Sequence, residues 1–399
     1  MTMSAEEKKL LFNVNNSPHI RDGDTTPRIM GLVCLALAPA LAWALLAFGW
    51  YAIVPVFFSV AACVLTEWAI VAWRGLPRSI DDGSAVVTGL LLAAVCPPNL
   101  PWWAAVVGGV FAIGIGKQAF GGLGHNIWNP ALLGRAFMQA SMPDRMMSGE
   151  WPHLGLAGKW WNNIFHYLGG SFSEIAGRIN SNPDAVTRAS MAGAVDAASG
   201  VDVMTGATLL DAMHVPAAGG IVDAAGNVAY HAPKALSPGW SSILYGWLGV
   251  EGGSLGEVSA VLLVIGGLYL LRKKVIPWDI PFFFILVAAV LGWAFPQPYK
   301  IGDAYAYTPW FQGPWLAHLG AGGLMLGAFF MATDMVTGPL TRKGRIIFAC
   351  GCGVMTMVIR LFGGYPEGVC YAILLMNTCV PLIDSLTRPR VFGTGVKKQ

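Results

Sequence analysis

Charged side chains are scarce in this sequence. Only 12% of its 399 residues are Asp, Glu, Lys or Arg, while 55% are hydrophobic. A soluble globular domain usually carries about 25% charged residues, so the composition excludes an ordinary soluble domain and predicts a membrane protein. The net charge of +3 is small, and no basic run alternates with aromatic residues. Both absences argue against a nucleic-acid partner.

Recognisable metal-ligand spacings are also lacking. The seven histidines form no HExxH pattern. All seven cysteines lie in or beside apolar runs, and Cys350 and Cys352 are one residue closer than the CxxC spacing of zinc or redox sites. We interpret the thiols as small buried hydrophobic groups and expect no metal site.

We expect no cleavable signal peptide at the start of the sequence. The first 28 residues are polar, and the first apolar run begins only at Ile29. That run is long enough to cross a bilayer, so we expect it to be a retained helix.

Ten apolar stretches dominate the rest of the chain. A helix needs about 20 apolar residues to cross the bilayer core, and most of these stretches approach that length, although the third and fifth are short. A polar segment of about 110 residues separates the fifth stretch from the sixth. The stretches are 29–48, 52–73, 84–97, 102–118, 128–142, 255–271, 279–296, 314–333, 345–362 and 367–385.

The basic residues predict the orientation. If the N-terminus is cytoplasmic, seventeen of the 25 Lys and Arg residues fall in cytoplasmic segments, whereas the short outer loops contain only Lys300. Lys and Arg are enriched on the cytoplasmic side of membrane proteins. Both termini are therefore predicted inside, in a bacterial or archaeal cytoplasmic membrane, and residues 143–254 outside.

Two pairs of motifs suggest an internal repeat. Residues 88–93 (TGLLLA) resemble residues 326–332 (LGAFFMA), and residues 120–125 (FGGLGH) resemble residues 362–368 (FGGYPEG). An odd number of spans in each half inverts one half relative to the other, and such repeats place functional sites at their interface, often at broken helices. We predict an all-α polytopic membrane protein of two inverted five-helix repeats. The predicted segments are 1–28 (cytoplasmic), 29–142 (first repeat), 143–254 (extracytoplasmic), 255–385 (second repeat) and 386–399 (cytoplasmic tail).

Several charged residues fall within the predicted spans, where ionised groups are costly and often functional. Glu67 and Asp334 are candidates for an ion path, or each belongs to a structural ion pair with a Lys or Arg. Arg135 also lies within a span. Lys117, Arg360 and Asp384 lie near span ends, from which long side chains are expected to reach the membrane surface.

The outer segment contains Asp202, Thr205, Gly206, Ala207 and Thr208 in the run DVMTGATLLD. By itself this run fits a helix N-terminus, because either threonine can act as the N-cap and Asp211 stands three residues after Thr208.

Other motifs, in one order along nearly the whole chain, resemble the RnfD/NqrB family of ion-translocating electron-transfer complexes. The resemblance rests on residues 17–21 (SPHIR), 28–30 (RIM), 117–126 (KQAFGGLGHN), 129–135 (NPALLGR), 326–334 (LGAFFMATD), 363–369 (GGYPEGV) and 381–384 (PLID). The short N-terminal segment, the residues after Thr208 and the ending TRPRVFG look more like RnfD than NqrB.

The resemblance implies a flavinylation signal in the outer segment. FMN is expected to be joined through its phosphate to Thr208, with Asp202, Thr205, Gly206 and Ala207 completing the motif. A separate flavin transferase, which acts outside the cytoplasm, is the implied maturation partner. The resemblance also implies a second, non-covalent flavin, riboflavin or a similar molecule. Its candidate contacts are Gly121, Gly122, Gly124, Asn126 and Asn129.

The implied function is electron relay between ferredoxin and NAD, coupled to Na⁺ or H⁺ transport, within a complex of membrane and peripheral subunits. Flavins would perform the redox chemistry. Three alternatives remain: an NqrB-type subunit that passes electrons to quinone, a secondary transporter without redox activity, which inverted repeats alone also fit, and a structural anchor for which Thr208 is dispensable.

Overall fold

Helices make up most of the described chain. The computed structural model describes residues 24–49, 52–75, 80–146, 221–222, 228–229, 247–248, 253–296, 298–301, 304–307, 310–313, 315–320, 322–362 and 368–388. Two short antiparallel hairpins accompany the helices. The first pairs β1 (Ile221–Val222) with β2 (Val228–Ala229), and the second pairs β3 (Pro298–Ile301) with β4 (Ala304–Tyr307).

The first half of the chain contains two long helices followed by shorter ones. Gly75 ends the second helix in the left-handed region at φ +64°, where glycine is favoured. Asn129 begins the fifth, because its side chain accepts hydrogen bonds from the N–H groups of Ala131 and Leu132. The helices are α1 (Thr26–Phe48), α2 (Ile53–Arg74), α3 (Ser84–Ala94), α4 (Trp102–Gly114), α5 (Pro130–Ser141) and α6 (Pro143–Met146), with 3₁₀ turns at Ile80–Asp82 and Gln118–Phe120.

The second half also mixes long and short helices. The sixth apolar stretch becomes helical five residues later than predicted, because Ser259 is the N-cap and its Oγ accepts from the Leu262 N–H. The helices are α7 (Ala260–Arg272), α8 (Asp279–Ala294), α9 (Trp315–Gly320), α10 (Leu324–Leu326), α11 (Arg342–Phe362) and α12 (Val369–Leu386), and a π-helix spans Gly327–Met331.

The prediction that the eighth apolar stretch, 314–333, forms one continuous helix is wrong. The stretch divides into α9, α10 and the π-helix. Gly322 lies between α9 and α10 with φ +67°, a conformation that interrupts an α-helix. In the π-helix the Ala332 N–H donates to the Gly327 carbonyl, five residues back, at 2.7 Å. Such π segments occur mostly as single turns and frequently at functional sites.

Five of the helical segments are long and apolar enough to cross a membrane: Thr26–Phe48, Ile53–Arg74, Trp102–Phe120, Arg342–Phe362 and Val369–Leu386. Many of their large apolar side chains, such as Leu35 and Trp73, are exposed on the surface, as expected where lipid replaces water as the solvent. The chain is therefore a multi-pass membrane protein. The count of ten crossings stays a prediction.

The helices pack in a similar order in both halves. In the first half α2 contacts α3 and α4, and α4 contacts α5; in the second half α8 contacts α9 and α11, and α11 contacts α12. Between the halves, α1 packs on α7 and α5 packs on α12. These pairings join the first predicted span with the sixth and the fifth with the tenth, and the inverted repeat stays a prediction.

A glycine permits a close approach of two helices in each half. A Cβ on Gly109 of α4 would lie 2.9 Å from the Cβ of Ala62 and 3.2 Å from the carbonyl oxygen of Ser59 on α2. A Cβ on Gly353 of α11 would lie 2.9 Å from the Cβ of Val287 and 3.0 Å from a carbonyl oxygen of α8. Both helix pairs therefore depend on a missing side chain at the same kind of contact.

We expect Gly109→Ala to destabilise the protein by about 1–3 kcal/mol, because the added methyl group overfills a packed helix contact. The matched control is Gly31→Ala on α1, where a Cβ would have no neighbour within 4 Å. The thermal midpoint of the detergent-solubilised protein should fall in the first variant and stay near wild type in the second. Equal midpoints for the two variants would contradict the described contact.

Candidate functional site

A cavity lies between the two halves, beside the broken eighth segment. Its volume is about 110 Å³, several times the ~10–15 Å³ that one water molecule needs by the same measure. Its walls are mostly apolar, with a few polar groups from both halves, as is typical of small-molecule sites. The polar lining residues are Ser84, Thr88, Lys117, Asn126, Asn129, Thr333 and Asp334, and the aromatic ones are Phe329 and Phe330.

Two asparagines predicted as flavin contacts line this cavity, and their hydrogen bonds differ. Asn129 caps α5 through its Oδ1, and its Nδ2 donates to the Met331 carbonyl of the π-helix at 3.3 Å. Asn126 is 6% exposed, and its Nδ2 donates to the Trp128 carbonyl, while its Oδ1 has no hydrogen-bond partner in the described part of the chain. Asn126 therefore offers an acceptor to a ligand, whereas Asn129 joins the two halves.

The predicted glycine contacts lie in the turn that leads to Asn126. Gly121, Gly122 and Gly124 have φ values of +119°, +97° and +94°, which favour glycine over residues with side chains. They are not among the residues that line the cavity, whereas the neighbouring Leu123 is. Arg74, at the end of α2, holds the start of this turn by donating to the Gln118 carbonyl at 2.9 Å. These glycines shape the turn that presents Asn126.

A buried ion pair forms one corner of the cavity. Lys117 Nζ lies 2.8 Å from both carboxylate oxygens of Glu67 and 2.5 Å from Ser84 Oγ. Glu67 is 0% and Lys117 1% exposed. The Gln118 amide also donates to Glu67, at 3.2 Å. The three N–H groups of the ammonium thus have acceptors, and a cation and an anion compensate each other where water is excluded.

The expectation that Lys117 and Arg360 reach the membrane surface is wrong. Arg360 is 2% exposed, and its Nη1 donates to the His318 carbonyl at 2.6 Å. Both cations are turned inward because each finds acceptors inside the protein, which favours burial over exposure at the interface. Asp384, by contrast, is partly exposed and accepts a hydrogen bond from the Leu340 N–H.

Asp334 follows the π-helix and borders the cavity. Its carboxylate accepts hydrogen bonds from the Val336 N–H and the Thr337 hydroxyl, each at 3.2 Å. In the part of the chain that the structure describes, no basic side chain forms an ion pair with it. The break in the eighth segment thus supplies Asp334 with local donors, so this carboxylate differs in its environment from Glu67.

The sequence reasoning missed Glu257, a further buried carboxylate. It is 7% exposed, and its Oε2 accepts a long hydrogen bond of 3.4 Å from the Ser254 N–H. Its Oε1 lies against Gly323, since a Cβ there would approach it to 2.9 Å. Glu257 stands inside the predicted span 255–271, so the rule that flagged Glu67 and Asp334 applied to it equally.

The predicted flavinylation motif, Asp202, Thr205, Gly206, Ala207 and Thr208, lies outside the described residues, as do the matching motifs at 17–21 and 363–367. Trp247, a described residue on the C-terminal side of that segment, contacts a helix. Its Nε1 donates to the Leu316 carbonyl of α9 at 3.0 Å. The end of the outer segment is therefore joined to the broken eighth segment by this residue.

We expect Lys117→Met to destabilise the protein by about 3–5 kcal/mol, because Glu67 would keep a buried charge without its cation. The double variant Lys117→Met with Glu67→Gln should recover much of the loss, since no net buried charge remains. Thermal midpoints of the three proteins test this.

The matched control is Arg28→Met. Arg28 pairs with Asp24 at 3.1 Å, but both side chains are about half exposed, and such pairs contribute about 0–1 kcal/mol. If the thermal midpoint of Lys117→Met were as high as that of Arg28→Met, the buried pair would not be needed to stabilise the protein.

Comparisons with known proteins agree with this architecture. The NQR2, RnfD, RnfE family matches residues 13–393. The chain is 40% identical over 391 residues to the D subunit of the proton-translocating ferredoxin:NAD(+) oxidoreductase complex of Clostridium ljungdahlii, covering 98% of each protein. It is 39% identical over 392 residues to the D subunit of the Na(+)-translocating ferredoxin:NAD(+) oxidoreductase complex of Acetobacterium woodii, again with 98% coverage of each. It is also 39% identical to the D subunit of the ion-translocating oxidoreductase complex of Stutzerimonas stutzeri, with 93% coverage of each. The chain belongs to the NQR2, RnfD, RnfE family.

Proposed function

We propose that this chain is the flavin-bearing membrane component, the D subunit, of an ion-translocating ferredoxin:NAD oxidoreductase complex. Its relatives are named as the D subunit of such a complex and match it over nearly the whole of both chains. The single structural observation that carries the proposal is the cavity between the halves, lined by Asn126, whose Oδ1 has no hydrogen-bond partner among the described residues. Other membrane and peripheral subunits of the complex, and the lipid bilayer, are the proposed partners.

We propose that a non-covalent flavin, riboflavin, binds at this cavity, which must widen to admit it because its volume of about 110 Å³ is below the roughly 300–1,000 Å³ of small-molecule sites. An isoalloxazine ring is flat and largely apolar, with donors and acceptors along one edge. The Phe329 and Phe330 side chains supply apolar wall, and the Asn126 amide supplies the acceptor for a ring N–H. Lys117 is already hydrogen-bonded to Glu67 and Ser84, so it has little left to offer a flavin phosphate. A flavin without phosphate therefore suits these groups best.

We further propose a covalent FMN on Thr208. A flavin transferase would join them when the Thr208 hydroxyl attacks the pyrophosphate of a flavin dinucleotide, forming a phosphoester and releasing AMP. The small Gly206 and Ala207 residues let the segment enter another enzyme's active site. When bound, the two flavins supply electron transfer between the partners of the complex. This chain's residues fix their positions and the polarity around them.

The proposed orientation places both termini in the cytoplasm, the chain in the cytoplasmic membrane, and Thr208 outside. The basic residues beside the ends of α2 and α7 and at the beginning of α11 support it. In this orientation the cavity lies at the cytoplasmic end of the membrane core, because its wall includes the beginnings of α1 and α3 and the residues after α7. We also propose that the two halves are inverted repeats. The similar packing order of their helices supports this.

We expect the denatured protein, made together with its transferase, to keep flavin fluorescence on a gel. Thr208→Ala should lose this fluorescence, because it lacks the hydroxyl that forms the phosphoester, while membrane insertion stays normal. Thr205→Ala is the matched control: it should weaken modification by altering recognition without removing the acceptor. Fluorescence that survives in Thr208→Ala and disappears in Thr205→Ala would show that Thr205 is the acceptor. A wild-type protein without fluorescence would remove the covalent flavin from the proposal.

Asn126→Ala should weaken the affinity of the complex for the non-covalent flavin by about five- to twelvefold, since one good hydrogen bond contributes about 1–1.5 kcal/mol, and so lower the amount of flavin that acid releases from the purified complex. The control is His125→Ala, because His125 is exposed and does not line the cavity. Chromatography of the released flavin measures the effect and identifies riboflavin or FMN. An unchanged content in Asn126→Ala would place the second flavin elsewhere.

A further inference from the structure

A chain of hydrogen bonds connects the buried ion pair with the end of the α2–α3 connection. Glu67 accepts from Lys117, Lys117 donates to Ser84 Oγ, and Ser84 Oγ donates to Asp82 Oδ1 at 2.5 Å. The Ser84 backbone N–H also donates to Asp82 Oδ1, at 2.8 Å. Four side chains from three parts of the fold thus form one continuous path.

The two ends of this path differ in their access to solvent. Glu67 and Lys117 are buried almost completely, and Ser84 is 5% exposed. Asp82 belongs to the 3₁₀ turn Ile80–Asp82 and is partly exposed, next to the exposed Asp81. The path therefore leads from the membrane interior to the side of the membrane on which the basic Arg74 and Arg78 predict cytoplasm.

Each link of the path can hold and pass a proton. The Lys117 ammonium gives a proton to the Glu67 carboxylate, which leaves a neutral amine and a carboxylic acid. Asp82 takes a proton from bulk water, the Ser84 hydroxyl turns from Asp82 to Lys117 and gives its proton to the amine, and Ser84 Oγ then takes the proton from Asp82, which returns to a carboxylate. The sum is the transfer of one proton from water to Glu67, and every bond broken is replaced by one formed.

Burial affects the cost of forming the neutral amine of Lys117 and the carboxylic acid of Glu67. A dry environment penalises two ions relative to a neutral acid and a neutral amine, so burial lowers the cost of passing through the neutral pair. Lys117 and Ser84 also line the cavity. A negative charge that arrives in the cavity interacts strongly with both residues, because the dielectric constant of the surroundings is low.

We propose that Asp82, Ser84, Lys117 and Glu67 form a proton-uptake path that compensates electron arrival in the cavity. This rests on the proposed function, because the flavin in the cavity supplies the electron. The path consists of N–H and O–H links, so it conducts protons rather than metal cations, whichever ion the whole complex translocates. Proton uptake here and ion transport by the complex are thus separate events.

Other ionisable groups lie beside this path. Cys63 stands one turn before Glu67 on α2 and interacts with both Glu67 and Lys117. Arg74 binds the Gln118 carbonyl beside Lys117. Asp334 lies across the cavity, and Asp81 is exposed beside Asp82. Among these groups and the path residues, Asp82 alone both joins the hydrogen-bonded path and reaches solvent, which makes it the residue to change.

The experiment uses the purified complex. Reduced ferredoxin is mixed rapidly with it, flavin absorbance follows electron arrival, and a pH-indicator dye follows proton uptake.

Asp82→Asn keeps the shape and the acceptor oxygen of the side chain but cannot ionise. We expect it to slow proton uptake by about tenfold or more, within the range of general acid–base effects, with an unchanged flavin content. Asp82→Glu should restore the rate, and a small weak acid added to Asp82→Asn should raise it.

Asp81→Asn is the matched control and should behave as wild type. Ser84→Ala is the second variant: it leaves the Lys117–Glu67 pair in place but breaks the path, so it should also slow uptake, and Ser84→Thr should restore it. Proton uptake at the wild-type rate in both Asp82→Asn and Ser84→Ala would overturn the path. A wild-type complex that binds no flavin would instead overturn the proposed function, and the path with it.

Discussion

The ion pair between Lys117 and Glu67 is the interaction on which this site depends. It joins the middle of α2 to the residues that follow α4, and through Ser84 it also holds the first residue of α3. An isolated charge at this depth would be too costly in the membrane, so each residue requires the other. The pair therefore holds α2, the first residue of α3 and the residues after α4 together at the edge of the cavity. The turn to Asn126 begins there.

Interrupted helices give the cavity its polar wall. Backbone groups within the membrane need hydrogen bonds, and irregular backbone survives there only where protein surrounds it or a cavity adjoins it. The π-helix meets this need partly through Asn129, which donates to the Met331 carbonyl. The end of α3 is satisfied from the other half, since the Leu255 N–H donates to the Cys96 carbonyl. The breaks therefore lie at the contact between the halves, and polar groups from both reach one space.

Much of the helical framework was predictable, because long apolar runs such as 29–48 carry their own signal and basic flanks mark their ends. The pairing of Glu67 with Lys117 was not, since it joins residues fifty positions apart and depends on how α2 packs against α4. The break at Gly322 was hidden by an apolar sequence that is typical of one span. Asn129, predicted as a flavin contact, lines the cavity, yet its capping role follows from a local geometry that composition does not reveal. Glu257 was predictable as well, because it is a carboxylate inside the predicted span 255–271, but it was not among the predicted site residues.

The central claim is that the cavity between the halves holds a flavin against Asn126. Cryo-electron microscopy of the intact complex at side-chain resolution tests it most directly. The account predicts a flat three-ring density between α1, α3 and the π-helix, with one edge within hydrogen-bond distance of Asn126 Oδ1 and no phosphate beside Lys117. A cavity filled by lipid or side chains, with every flavin density elsewhere, would contradict it.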